Sequence, residues 1–243
     1  MKQHLINVYI FLIFTSGSIF SQVTSEQIHY GASSLSMAAS DIALPKTSWS
    51  AFVNSAGIVD QQGLTFVASS QSHFSQDFLS HSLFGVQFKN SKYGSFGISF
   101  ENSSVDYSGN NLATETAIGI HQGISLRSDR NSSFSFGYGL KSYTVDYGSS
   151  AGPSGDGSDG IELGSLNAFG LDVSFLGSLG KRIRVGAKAL NINSPTLGNA
   201  NLATRLPQRS QIGLAYSPYD LVWTTAALNK SVGHPTNFSS GFS

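Results

Sequence analysis

From residue 62 onward, apolar residues alternate strictly with small polar residues. The stretch SFGISFE (95–101) alternates serine and glycine with phenylalanine and isoleucine, and the stretches 134–141 and 168–175 repeat the pattern. Successive side chains of a β-strand point to opposite faces, so each stretch predicts a strand with one apolar face. The pattern predicts nine strands, over 62–72, 79–89, 93–104, 116–128, 132–146, 166–178, 182–192, 209–217 and 221–230.

The lengths of these strands and of their connections indicate the kind of sheet. Several predicted strands have ten or more residues, whereas strands of soluble sheets usually have ~5–6 and membrane-crossing strands need ~9–11. The connections 89–92 and 128–132 are short, and 148–165 and 193–208 are long and rich in glycine, serine and asparagine. Tight periplasmic turns and long external loops are typical of a transmembrane barrel. We therefore expect the two long connections to face outside.

The composition of the two faces favours a membrane barrel over a soluble sandwich. One face carries phenylalanine, isoleucine, leucine and valine, and the other carries mostly glycine, serine, alanine and glutamine. Bulky apolar residues suit lipid and small polar residues suit a lumen. The prediction is an all-β fold, a transmembrane antiparallel β-barrel. The alternative is a secreted soluble β-sandwich or an adhesin-like binding module, with the apolar face packed inside.

A few charged residues fall on the predicted lumen face of these strands. They are Glu101, Lys141, Asp172, Arg184 and Lys188. Two interpretations remain open: these groups set the polarity of a pore or anchor an internal segment, or they only fill the lumen.

The number of predicted strands does not suit a closed bacterial barrel, which normally has an even number. Nine is odd, and the stretch NFSSGFS (237–243) has the pattern of a further strand. We therefore expect that the barrel, spanning 61–243, is incomplete and lacks C-terminal strands.

The N-terminus has the layout of a secretory signal peptide. Lys2 precedes an apolar run (5–14), and a small, polar stretch follows, with cleavage expected near Ser21. The apolar run is shorter than the ~20 residues that a membrane-spanning helix needs. The predicted organisation is a signal peptide (1–21), an N-terminal hatch or plug (22–60) and the barrel. The alternative is a core helix of an ordinary domain.

Composition excludes several classes of function. The chain has 14 basic and 14 acidic residues and no cysteine, and only 12% of its residues are charged. A nucleic-acid-binding protein needs a basic face, which a net charge of zero does not suggest. The motifs of nucleotide-binding loops, serine hydrolases and zinc proteases are absent. We predict no catalytic residue, no metal site, no cofactor and no enzymatic activity.

The segment before the strands lacks their alternation. Its sequence, GASSLSMAASDIALPKTSWSAFVNSAGI (31–58), predicts a short helix at 33–39, a break at Pro45, a helical turn near 48–53 and a final Asn-Ser-Ala-Gly turn.

This segment resembles the N-terminal hatch of the FadL-like hydrophobic-compound transporters and of the related PorV/PorQ-type proteins of type IX secretion. The resemblance depends on a Gly-Ala start, a methionine followed by a small residue, an alanine-rich stretch and an aromatic residue before Asn-x-Ala-Gly. The matching hatch residues are Gly31, Met37, Trp49, Phe52, Asn54 and Gly57. Two positions depart from the family pattern, because Ala38 replaces a glycine and Ser55 replaces a proline.

The resemblance implies a location, a role for the segment and two alternative functions. The protein would lie in the outer membrane of a Gram-negative bacterium, in contact with lipid, with residues 31–58 folded into the barrel as a hatch. One function is transport of a hydrophobic small molecule. The other is that of a scaffold that retains a secretion-system protein. A continuous apolar path from the long loops to the hatch would favour transport, and Leu197 and Leu206 leave this open.

Overall fold

The computed structural model describes residues 30–72, 77–90, 92–107, 110–150, 152–155, 159–198, 203–220 and 222–243. The predicted signal peptide (1–21) and the first part of the predicted hatch (22–29) lie outside the described residues.

Residues 30–60, here called the N-terminal segment, form four short helical elements. They are α1 (Gly31–Ser36), the 3-10 helix η1 (Asp41–Ala43), α2 (Ser50–Val53) and the 3-10 helix η2 (Ser55–Asp60). The predicted helix and helical turn are thus present with shifted ends, and the predicted Asn-Ser-Ala-Gly turn begins η2. Pro45 lies between η1 and α2, where its lack of an N–H donor disfavours a continuous helix.

The rest of the described chain is built from β-strands. The long strands are β1 (Leu64–Ser72), β2 (Leu79–Phe88), β3 (Ser95–Tyr107), β4 (Asn110–Ser128), β5 (Ser132–Ser149), β6 (Glu162–Leu179), β7 (Ile183–Leu190), β10 (Arg209–Tyr219), β11 (Val222–Ser231) and β12 (Asn237–Phe242). Two two-residue strands, β8 (Thr196–Leu197) and β9 (Thr204–Arg205), form a separate hairpin. All nine predicted strands are present, and the pattern at 237–243 is a strand as expected.

The ten long strands form one antiparallel sheet with neighbours in chain order. Within the described residues β1 pairs only with β2, and β12 pairs only with β11. The all-β prediction is therefore confirmed, but the described sheet is open and not closed into a barrel. Since the strands are antiparallel, the connections β5–β6 and β7–β10 lie at one end of the sheet. The connections β2–β3 and β4–β5 lie at the other.

The two faces of the sheet differ as their alternating sequence predicts. We call the face that contacts the N-terminal segment the inner face, and the opposite face the outer face. On β4, Ile120 is 63% exposed and its neighbour His121 is 1% exposed. On β5, Leu140 is 59% exposed and Lys141 is 4% exposed. Apolar side chains thus cover the outer face, and small or polar side chains are buried on the inner face.

Candidate functional site: the inner face and the N-terminal segment

Helix α1 begins at a glycine whose conformation and surroundings both exclude a side chain. Gly31 has φ +74°, and a Cβ there would lie 2.6 Å from Cζ2 of Trp49. Trp49 packs on Phe52 with ring centroids 5.5 Å apart, and Tyr30 packs on Phe52 at the same distance. Phe52 and Tyr30 are buried, and Trp49 is half-buried. These aromatic residues form the apolar core between the segment and the sheet.

Asn54 joins the segment to itself and to the sheet. Its Oδ1 accepts a hydrogen bond from the N–H of Ala56 (3.1 Å), which caps the start of η2. Its Nδ2 donates to the carbonyls of Ile42 (2.9 Å) and Phe175 (3.1 Å). One buried amide therefore holds two helical elements and strand β6 together.

Glycines on the inner face let the backbone of the segment lie directly on the strands. A Cβ at Gly137 would overlap the backbone of Ser55 and Ala56. A Cβ at Gly123 would lie 2.7 Å from the carbonyl oxygen of Ser55. A Cβ at Gly97 would lie only 3.0 Å from the Cβ of Ala51 on α2. The small residues that predicted a lumen therefore form the surface on which the N-terminal segment packs.

The same pattern occurs at the far side of the sheet. A Cβ at Gly186 on β7 would lie 2.5 Å from the carbonyl oxygen of Ile42, and one at Gly213 on β10 would overlap the Ile42 side chain. Met37 is buried, and a Cβ at Gly241 on β12 would lie 3.0 Å from its Cα. The segment thus contacts both halves of the sheet.

Buried polar side chains of the strands bind the backbone of the segment. Oε1 of Gln87 accepts from the N–H of Ala51 (3.1 Å), and Nε2 of Gln211 donates to the carbonyl of Ala39 (2.5 Å). The hydroxyls of Ser40 and Thr225 are 2.6 Å apart. The bonds of Gln87 and Gln211 satisfy backbone groups that burial would otherwise leave unpaired, at a cost of ~1–3 kcal/mol each.

His121 on β4 connects the segment to the neighbouring strand. Its Nδ1 is 3.0 Å from Oγ of Ser55, and its Nε2 is 2.8 Å from Oγ of Ser99. Both serines and the histidine are buried. The hydroxyl of Ser55 makes this contact, which a proline at the same position could not make. Neither hydrogen bond of the histidine involves a carboxylate, so the arrangement is a structural link and not a Ser-His-Asp triad.

Three predicted lumen charges meet on the inner face. Nζ of Lys141 is 3.0 Å from Oε1 of Glu101 and 4.0 Å from Oδ2 of Asp172. All three side chains are buried. Oδ1 of Asp172 accepts from the N–H of Asn191 (2.9 Å). We call Glu101, Lys141 and Asp172 the charged layer, because they join β3, β5 and β6 across the inner face.

The other two predicted charges contact the segment itself. Arg184 pairs with Asp60, and its Nε donates to the carbonyl of Ala43 (3.2 Å). Nζ of Lys188 lies 5.3 Å from the centroid of the Tyr30 ring, within the range of a cation–π interaction. Arg184 therefore contacts both ends of the η1–η2 region, and Lys188 lies over the Tyr30 ring.

A second apolar cluster forms where the connection 193–208 folds inward. Leu197 and Leu206 are buried and pack with Ala117, Tyr143 and Ala168 on the inner faces of β4, β5 and β6. Part of this connection therefore packs on the inner face, and the expectation that the connection faces outside stays a prediction. The β8–β9 hairpin is anchored by its leucines, because burying each one stabilises the fold by ~1.5–3 kcal/mol.

Very little space remains between the N-terminal segment and the charged layer. The cavity there has a volume of about 10 Å³, which is space for one water molecule. It is lined by residues of both parts, including Ser55, His121, Lys141, Asp172 and Ser174. Segment, charged layer and hairpin cluster together fill this part of the inner face.

Sequence reasoning missed several residues that hold this site together. His121, Gln87, Gln211 and Gly137 were not singled out, although each occupies an inner-face position of an alternating strand. The inner-face position of each residue was the feature of the sequence that could have identified it. Their partners on the segment could not be identified from it, since the partners lie 36 to 172 residues away in the chain.

No helix in the described part of the chain is long and apolar enough to cross a membrane. The same residues contain no group of three or more histidine, cysteine, aspartate or glutamate side chains suited to a metal ion. Compared with known proteins, the chain matches no family model and no curated protein.

Proposed function

We propose that this chain is an outer-membrane protein of a Gram-negative bacterium, of the PorV/PorQ or FadL-like kind. It acts as a scaffold without an open channel. Its sheet contacts lipid on the outer face and holds the N-terminal segment on the inner face as a hatch. The observation that carries the proposal is the division between an exposed apolar outer face and a filled polar inner face.

The outer face supports a lipid environment over a soluble sandwich. Large apolar side chains are exposed on many strands, for example Phe66, Ile120 and Phe169. A soluble sandwich covers such a face with a second sheet. Among the described residues, the only other sheet is the hairpin of the two-residue strands β8 and β9, which packs on the inner face. Contiguous exposed apolar surface of this kind indicates contact with membrane or partner.

The inner face supports a scaffold over a transporter of hydrophobic compounds. Such a transporter needs an apolar path from the long connections to the hatch. Here the charged layer lies between the cluster around Leu197 and the aromatic core around Phe52. An apolar solute passing this level would have to displace the buried Glu101–Lys141 pair, at a cost of several kcal/mol. The partner we expect is a secretion-system protein, held at the end of the long connections.

The first experiment tests the lipid face. Leu140→Lys places a charge in the middle of β5, and Leu179→Lys, at the end of β6, is the matched control. In lipid vesicles we expect the central charge to destabilise the fold by ~2–4 kcal/mol and the terminal one by ~0–1 kcal/mol. Urea unfolding of vesicle-reconstituted protein measures both. Folding in buffer without detergent or lipid, with both variants equally stable, would identify a soluble protein.

The second experiment tests whether the protein lacks an open channel. The intact protein in planar bilayers should carry no single-channel current and should not pass a fluorescent fatty acid into vesicles. A variant lacking residues 31–58 is the positive control, because its inner face loses the hatch. Uptake of the fatty acid by the intact protein would support the transporter and overturn the scaffold.

A further inference from the structure

A cavity lies outside the filled inner face, at the end of the sheet with the long connections. It has a volume of about 350 Å³, within the usual range for small-ligand sites. Ala189, Ile192, Gln208, Ser210, Lys230 and Val232 line it, together with Leu190 and Arg209. It therefore spans the ends of β7, β10 and β11.

Hydrogen bonds fix the rim of this cavity. The N–H of Val232 donates to the carbonyl of Gln208 (3.0 Å), and Nε2 of Gln208 donates to the carbonyl of Ile192 (2.9 Å). These two bonds join the residues that follow β7, precede β10 and follow β11. The cavity is thus a built feature of three chain segments.

Lys230 supplies a positive charge beside this rim. Ser210 and Lys230 are directly paired in the β10–β11 ladder, on outer-face positions. Nζ of Lys230 donates to the carbonyl of His234 (2.6 Å), which holds it close to the β11–β12 turn. An ammonium has three donors, so this bond leaves it able to bind an anion as well. None of the residues that line the cavity is acidic.

An apolar track continues from the cavity along the outer face. Ile212 and Leu228 form the next outer-face pair of the same ladder, and Leu214 follows on β10. All three side chains are exposed. A cationic and hydroxyl-bearing pocket at the end of a strand thus adjoins exposed apolar surface along that strand.

We infer that this groove binds an anionic lipid. The lipid phosphate contacts Lys230 and Ser210, and an acyl chain lies along Ile212, Leu214 and Leu228. The charge of the pocket matches the phosphate, and the apolar track matches the chain. This inference rests on the proposed membrane location, and it adds a specific lipid class and its contact residues.

Native mass spectrometry of the full chain in detergent tests this site. The probes are phosphatidylglycerol and phosphatidylcholine, added at equal concentration. We expect retention of phosphatidylglycerol by the wild type, and about fivefold less by Lys230→Gln, as expected for one surface cation near an anionic lipid. Retention of phosphatidylcholine should not change. Lys181→Gln, at the β6–β7 turn on the opposite end, is the matched control and should behave as wild type.

The possible outcomes distinguish failure of the lipid site from failure of the proposed function. Equal retention of both lipids, or no effect of Lys230→Gln in a protein that inserts into vesicles, overturns the lipid site alone. Full displacement of phosphatidylglycerol by excess inorganic phosphate also overturns it, because the apolar track then contributes nothing. Failure of the wild type to insert into vesicles overturns the proposed function, and with it the lipid site.

Discussion

Lys141 and Glu101 form an ion pair of 3.0 Å on the buried inner face, and they come from strands that are not neighbours in the sheet. Strand β4 lies between them, and its inner-face residue opposite Lys141 is Gly119. A Cβ at Gly119 would overlap Oγ of Ser99 and lie 2.5 Å from Nε2 of His121. This glycine therefore leaves room for the His121–Ser99 hydrogen bond, which lies beside the ion pair on the inner face.

Removing the cation of this pair should destabilise the protein more than removing the carboxylate. Lys141→Gln leaves the carboxylates of Glu101 and Asp172 buried without their cation, whereas Glu101→Gln leaves Lys141 within 4.0 Å of Asp172. We expect a loss of ~3–5 kcal/mol for Lys141→Gln, because an uncompensated buried charge is costly. The loss for Glu101→Gln should be clearly smaller. Urea unfolding of the reconstituted protein measures both, and equal losses would contradict the central role of the lysine.

Gly137→Ala should disrupt the packing of the N-terminal segment on the inner face. The added Cβ would overlap the backbone of Ser55 and Ala56, which cannot move aside as a flexible side chain could. We expect a loss of ~1–3 kcal/mol or more. Gly177→Ala is the matched control, since its Cβ would have no neighbour closer than 3.8 Å. The measurement is limited proteolysis within residues 30–60; unchanged resistance in Gly137→Ala would show that the segment does not lie against β5.

Ala38→Gly should stabilise the protein. Ala38 has φ +49°, the left-handed region where a Cβ costs ~1–2 kcal/mol. Glycine relieves this strain but loses more chain entropy on folding, so we expect a net gain of ~0.5–1 kcal/mol. Ala32→Gly, in helix α1, is the control and should cost ~1 kcal/mol. Thermal unfolding in detergent measures both changes, and a loss of stability in Ala38→Gly would refute the assigned backbone conformation.

Tyr30 should ionise at unusually high pH. Burial, together with the nearby carboxylate of Glu101, raises its pKa from the ordinary value of 10.0 to about 12. The folded protein therefore holds this proton more tightly than the unfolded chain does. The corresponding stability is fully present below pH 10 and is lost as the pH rises through about 12, a loss of about 3 kcal/mol. Tyr30→Phe should lack this part of the alkaline loss.

The absorbance of tyrosinate, followed from neutral to alkaline pH, measures this titration. The wild type is compared with Tyr30→Phe. The difference between the two curves should appear only above pH 10. A difference centred at or below pH 10 would mean that Tyr30 is in contact with water.

Alternation along the chain determined the strands and the direction in which each side chain points. Phe96, Ile98 and Phe100 share a face because strand geometry has a period of two, a local property that requires no knowledge of neighbours. For the same reason Glu101, Lys141 and Asp172 could be assigned to one face from the sequence. The helical elements of the N-terminal segment were also predictable, since Pro45 and Asn54 act on the backbone beside them.

Only the tertiary structure decided which of these residues meet. Register sets which residues of neighbouring strands lie side by side. Glu101 and Lys141 are 40 positions apart in the chain, and the sequence between them does not indicate their 3.0 Å contact. The packing of Leu197 and Leu206 on the inner face was likewise decided only by the tertiary structure. A polar connection is typical of an exposed loop, but Leu197 and Leu206 are buried because they pack with Ala117 and Ala168 on the inner face. Side-chain direction is a local consequence of backbone geometry, whereas contact depends on packing between segments that are distant in the chain.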